Sequence, residues 1–190
     1  MEKQYNPNGF IPKHGGYERL ITYQKAEIIF DGTKYFTNKY FQRYDRTIDQ
    51  MVQAARSGKQ NIVEASMASG TSKETEIKLT NVARASLEEL LTDYKDFQRN
   101  NKLKYWDKGH PYYSQLTKKH RTPNANYETY KKGIESPDPE VSVNVMINQI
   151  NVTSYLLAQQ IKTLEREFLE EGGMRERMSQ ARIEVRKKQK

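Results

Sequence analysis

Apolar side chains recur along most of this chain at alternating steps of three and four, the spacing that gathers them on one face of a 3.6-residue helix. Ile48, Met51, Ala55, Gly58, Ile62 and Ala65 form one such line, and Ala83, Leu87, Leu90, Tyr94 and Phe97 form a second. Between them lies Ser69-Gly70-Thr71-Ser72-Lys73-Glu74. Gly70 suits the left-handed conformation that ends a helix, and Thr71 with Glu74 has the form of a capping box for the next. The pattern predicts a helical hairpin, with helices over 46–68 and 72–100 and Asp45 as the first cap. Upstream, Tyr17, Ile21, Gln24, Ile28, Asp31 and Tyr35 keep helical steps. Leu20, Ile29, Phe36 and Tyr40 broaden the stripe, so a helix is predicted over 17–42, with Gly32 offering close approach to a neighbour. The longest line is Val143, Ile147, Ile150, Ser154, Leu157, Ile161, Leu164 and Phe168, a heptad seam with one polar member. Asp138-Pro139 is a good start for that helix and Gly172-Gly173 a good stop, which bounds it at 139–171.

Periodicity is lost elsewhere. Residues 1–16 contain Pro7, Gly9, Pro12, Gly15 and Gly16 and read as an irregular arm. Residues 102–138 hold Gly109, Pro111, Pro123, Gly133 and Pro137 together with Tyr105, Trp106, Tyr112, Tyr113, Tyr127 and Tyr130. A connection of that length is unusual without an anchor, and its aromatic side chains supply one by packing on the helices. Four helices with two short connections and one long one predict an all-α fold: an antiparallel up-down four-helix bundle. Its long loop precedes helix 4, and a suffix over 172–190 follows it.

Composition fits a narrow helical core: 35% of residues are hydrophobic and 29% charged. The net charge of +8 is unevenly spread. Residues 44–98 carry seven Lys/Arg against nine Asp/Glu, whereas 174–190 carry seven against two. Basic appendages on a near-neutral scaffold suit a polyanionic partner. The chain lacks cysteine, so disulfides and thiolate metal sites are excluded. The first residues do not read as a signal peptide, and no run approaches the roughly 20 apolar residues of a membrane span, so a cytoplasmic protein without a membrane partner is expected.

Gln50 to Gly58 followed by Asn61-Ile62-Val63-Glu64-Ala65, and Ala83-Arg84-Ala85-Ser86 leading to Glu89-Leu90, resemble the second- and third-helix signatures of a bacterial four-helix-bundle family. That family is encoded by intervening sequences of large-subunit ribosomal RNA genes. Tyr17-Glu18-Arg19-Leu20 and Tyr23-Gln24-Lys25-Ala26 are similar to its opening helix, so the likeness spans about residues 17–101. Ala65 stands where the family has glycine, and Gln53 stands near its usual arginine. The long connection and the arginine-rich suffix resemble a suffix-domain subgroup, related to the accessory proteins of diversity-generating retroelements. The resemblance implies a non-enzymatic bundle that self-associates as a homo-oligomer, a pentamer, with nucleic acid and protein among the partners of its relatives.

The residues themselves present no catalytic constellation. His14, His110 and His120 are isolated from carboxylates at metal-ligand spacing, so neither a metal nor a cofactor is expected, and surface or packing roles are expected for all three. Glu64 and Arg84 are placed to form a polar pair between helices two and three that would fix their register. Arg175, Arg177, Arg182, Arg186, Lys187, Lys188 and Lys190 can neutralise phosphates without regard to sequence. Lys104 and Lys108, beside Tyr105, Trp106, Tyr112 and Tyr113, can hold a strand whose bases stack on the rings. The functional expectation is a non-catalytic accessory that binds RNA or DNA in a nucleoprotein complex. The alternative is a protein-interaction scaffold in which the basic residues serve solubility.

Overall fold

A computed structural model describes residue 11 and residues 14–189. Most of the predicted N-terminal arm lies outside the described residues, as does Lys190. The described chain is helical and contains no strand. A 3-10 turn at Tyr17–Arg19 leads into α1 (Ile21–Tyr40), followed by α2 (Arg46–Ala68) and α3 (Lys73–Asn100). The connection then forms two short helices, α4 (Pro111–Lys119) and α5 (Tyr127–Ile134), before α6 (Pro139–Glu171) and α7 (Met174–Lys188).

The caps explain most boundaries. Thr47 N–H donates to Asp45 Oδ1 at 2.8 Å and Glu140 N–H to Asp138 Oδ1 at 2.8 Å, each satisfying an amide that the first turn leaves without a partner. The start of α3 differs from the sequence expectation by one residue. Ser72, not Thr71, is the cap, accepting from Thr75 N–H at 3.1 Å. Gly70 is not in the left-handed region. It is buried instead, and a side chain there would stand 2.9 Å from His14 Cβ.

The long helices pack as neighbours α1–α2, α2–α3, α3–α6 and α6–α1. Side-chain contacts give the directions against α6. Thr22 donates to Gln160 at 3.0 Å near one end of α1, and Gly32 meets Met146 further along. Lys73 reaches Glu167 at 3.1 Å and Gln98 reaches Asn144 at 3.2 Å. Both α1 and α3 therefore run antiparallel to α6. The core holds Phe36, Met51, Ile62, Leu87, Leu90, Tyr94, Ile147 and Ile150, all fully or almost fully buried. Tyr94 keeps its hydroxyl satisfied there by donating to Thr33 Oγ1 at 3.0 Å.

Two features of the packing depart from the sequence reading. The buried face of α1 holds Thr22, Lys25, Ala26, Ile28, Ile29, Gly32, Thr33, Phe36 and Thr37, which includes Ile28 of the expected line and Ile29 and Phe36 of the broader stripe. Ile21 and Asp31, from the line expected to face the core, are exposed. Polar residues share the inward face and shift it from the hydrophobic line, with Thr22 bonded to Gln160, Lys25 to His120, Thr33 to Tyr94 and Thr37 to its own helix. The second departure concerns residues 102–138, which read as a loop. Trp106, Leu116, Tyr130 and Ile134 are buried, and α5 packs on both α1 and α6. As a result the whole run Ser142–Ile150 of α6 is buried on every side, beyond what its seam alone would bury.

Candidate nucleic-acid interface

Gly172 ends α6 with a positive φ of 69°, a conformation that favours glycine, and its N–H still closes on the Phe168 carbonyl at 2.9 Å. Gly173 N–H then donates to the Glu176 carboxylate, which starts α7. No residue of α7 is buried. Arg175, Arg177, Arg182, Arg186, Lys187 and Lys188 are all exposed on it. At 100° per residue, Arg175, Arg182 and Arg186 share one edge, at steps of seven and four residues, or about 10 and 6 Å along the axis. Arg177 and Lys188 share the other edge. Between the two edges runs a narrow stripe of Met174, Met178, Ala181 and Val185. Arg186, Lys187 and Lys188 also occupy the last turn, where the helix dipole favours cations.

Lys104 and Lys108 are exposed as well, but at the opposite end of α6. Lys104 N–H donates to Glu140 Oε2 at 2.9 Å, and its carbonyl accepts from Asn144 at 2.8 Å. From Asn144 to the start of α7 is most of the length of α6, about 45 Å at 1.5 Å per residue. The expected basic residues thus form two groups, one beside the first turns of the long helix and one on the helix that begins beyond its other end.

The aromatic residues beside Lys104 divide into two kinds. Trp106 is an anchor. Its ring is buried, its Nε1–H donates to Glu140 Oε1 at 3.3 Å, and His110 stacks on it at 4.6 Å with planes 8° apart. Tyr105 and Tyr112 are about half exposed, and Tyr112 also packs against Trp106 at 5.2 Å and His110 at 5.6 Å. Asp107, Asp138 and Glu140 are acidic residues beside this surface. A groove of about 260 Å³ between α1 and the turn before α5 is lined by Glu27 and Asp31, a poor place for phosphate.

The expected Glu64–Arg84 pair does not form. Both side chains are exposed, and Arg84 donates to Asn81 Oδ1 at 3.2 Å on its own helix. Ser57 and Ser86, whose hydroxyls lie 2.9 Å apart, and Gly58, which seats Leu87, set the register of α2 against α3 instead. The sequence signal for this was present, since Gly58 lies on the buried line where a small residue lets two backbones approach.

A polar cluster that sequence reasoning missed lies under α4. Lys25 Nζ is 3.1 Å from His120 Nδ1, and His120 Nε2 is 2.6 Å from Asn148 Oδ1. Burial holds the Lys25 ammonium below its ordinary pKa. Burial also lowers His120, with the nearby Lys25 charge adding to it and the Asn148 hydrogen bond opposing. Among the described residues no group of three or more histidines and carboxylates is placed to hold a metal ion, and no helix is long and apolar enough to cross a membrane. Comparison of the chain with protein-family models, curated proteins and solved structures gives no match.

Proposed function

We propose that this chain is a non-catalytic, homo-oligomeric helical bundle that binds RNA or DNA as an accessory of a nucleoprotein complex. The observation that carries the reading is α7, a helix with no buried residue that presents six cationic side chains to solvent. A helix with so little apolar burial has its charged faces free for a partner, and its arginines can bond phosphates in bidentate fashion. Lys104 and Lys108, with the half-exposed rings of Tyr105 and Tyr112, form a second contact region. In this reading the four long helices are an antiparallel up-down bundle, and the chain is a relative of the ribosomal intervening-sequence family. The signature residues over 17–101 and the cyclic packing of α1, α2, α3 and α6 support that assignment. Exposed Tyr155 and Leu169 on α6 and Val82 on α3 offer apolar area for assembly into the pentamer the family resemblance implies.

The test is binding of purified protein to labelled single- and double-stranded RNA and DNA at several salt concentrations, with a second sample lacking residues 174–190. Six neutralised phosphates give a log–log salt slope of about −5 on duplex DNA. Removing the tail is expected to flatten that slope by most of this amount. An intact protein that binds no nucleic acid near physiological salt would overturn the reading and leave the protein-interaction scaffold in its place.

A further inference from the structure

Lys25 is a lysine of α1 that is only 4% exposed. No carboxylate of the described residues pairs with it, and its one hydrogen-bond partner is His120, at the C-terminal cap of α4. An ammonium has no lone pair, so His120 accepts at Nδ1. That leaves the ring proton on Nε2, where it donates to Asn148 Oδ1 at 2.6 Å. A neutral imidazole in one tautomer therefore links α1, α4 and α6.

The other groups around it offer no negative charge. Tyr130, from α5, donates its hydroxyl to the Lys119 carbonyl at 3.2 Å and lies 3.3 Å from the same Nδ1. Its ring centroid is 5.9 Å from Lys25 Nζ. Lys119, on the histidine's own helix, turns its ammonium to the Thr129 carbonyl at 3.1 Å. From α6 come only the amides of Asn148 and of the fully buried Gln149. The charged and titratable groups facing His120 are thus Lys25 and Tyr130, one cationic and one neutral.

We propose that the Lys25–His120–Asn148 contact is an acid-released clasp, in which protonation of His120 frees α4 and its flanking turns, residues 107–126, while the long helices and α5 stay packed. A proton on Nδ1 removes the acceptor for Lys25 and sets two cations 3.1 Å apart with no carboxylate to separate them. Besides the clasp the segment is held by His110 and Tyr112 against Trp106 and by the Lys119 bonds to α5, but by little apolar burial. Leu116 is the one buried apolar residue of α4, whereas α5 has Tyr130 and Ile134. The sign follows from burial lowering His120 in the closed form. The clasp is fully made above the ordinary histidine value of about 6.5 and is lost as pH falls from there through the closed-state value.

The test is amide hydrogen exchange resolved by peptide, corrected for intrinsic rates, between pH 7.5 and 5. Protection of residues 107–126 is expected to fall by about tenfold for each unit separating the open and closed histidine values. Protection of α2 and α3 should hold. His120→Gln stays neutral throughout and should abolish the fall. Lys25→Met keeps the histidine but removes the opposing cation, and should shrink it. A pH-independent segment in the wild-type chain, an undiminished fall in both variants, or a loss of protection shared equally by α2 and α3 would overturn the clasp.

Discussion

At Gly58 a Cβ would stand 2.8 Å from Leu87 Cδ2 and 3.0 Å from Leu87 Cγ, and Leu87 is fully buried. At Gly32 the nearest atoms would be Met146 Sδ at 2.7 Å and Cε at 2.9 Å, the far end of a side chain with three rotatable bonds. The two glycines look alike in sequence, but they differ in what must move. Gly58→Ala is expected to lower the free energy of unfolding by about 1 to 2 kcal/mol through overpacking, despite the helix propensity it gains. Gly32→Ala should change it by less than about 1 kcal/mol, since the helix propensity gained offsets the shift of Met146. Urea denaturation of both variants checks this, and equal losses would show that Leu87 yields as readily as methionine. The same scale explains why Glu64 and Arg84 do not pair. Spacing alone places both residues near the helix boundary. Whether two such side chains meet depends on the rotation of each helix about its axis, which Gly58 and the Ser57–Ser86 contact determine here.

Helices α2, α3 and α6 were legible because each carries many turns of periodic pattern and a side-chain cap, whereas α1, expected over 17–42, runs Ile21–Tyr40 after a separate 3-10 turn and has no side-chain cap. Expected bounds of 46–68, 72–100 and 139–171 compare with Arg46–Ala68, Lys73–Asn100 and Pro139–Glu171. Helices α4 and α5 were not legible. With 9 and 8 residues, they are too short for a stripe to repeat, and the prolines and glycines around them read as loop. Elements are joined by ionic contacts as well as by apolar faces. Lys73 on α3 lies 3.1 Å from Glu167 on α6 and 3.0 Å from Glu76 Oε2, close enough for an ion pair with a carboxylate that is nearly buried. Burial pushes the Glu76 carboxyl up, and Lys73 pulls it back. Lys73→Met leaves that carboxylate without its cation and is expected to cost roughly 2 kcal/mol at neutral pH. A carboxyl raised in the folded state is a burden above its folded pKa and is relieved as pH falls through it. The gap between variant and wild type should therefore narrow in acid, and adding Glu76→Gln should recover most of the loss at neutral pH. Urea midpoints at both pH values measure it, and a gap that widens in acid would contradict the argument.

Over the whole molecule, charge is separated along the length of α6. The acidic helices lie in the middle, Lys104 and Lys108 at one end, and α7 begins at the other. The sequence displayed these runs plainly but not their separation, which depends on α6 continuing unbroken through 33 residues between them. A duplex rising 3.4 Å per base pair covers the intervening 45 Å or so in about 13 base pairs. Duplexes of about 8 base pairs should contact one basic region only, and those beyond about 13 should contact both. Affinity at fixed salt is therefore expected to step upward across that length rather than rise smoothly with the number of overlapping registers. Charge reversal at Lys104 and Lys108 should remove the step and leave short-duplex affinity intact, because α7 still binds. Loss of residues 174–190 should weaken short and long duplexes alike. A smooth length dependence, unchanged by reversing Lys104 and Lys108, would mean that α7 acts alone and that the second basic region serves the surface only.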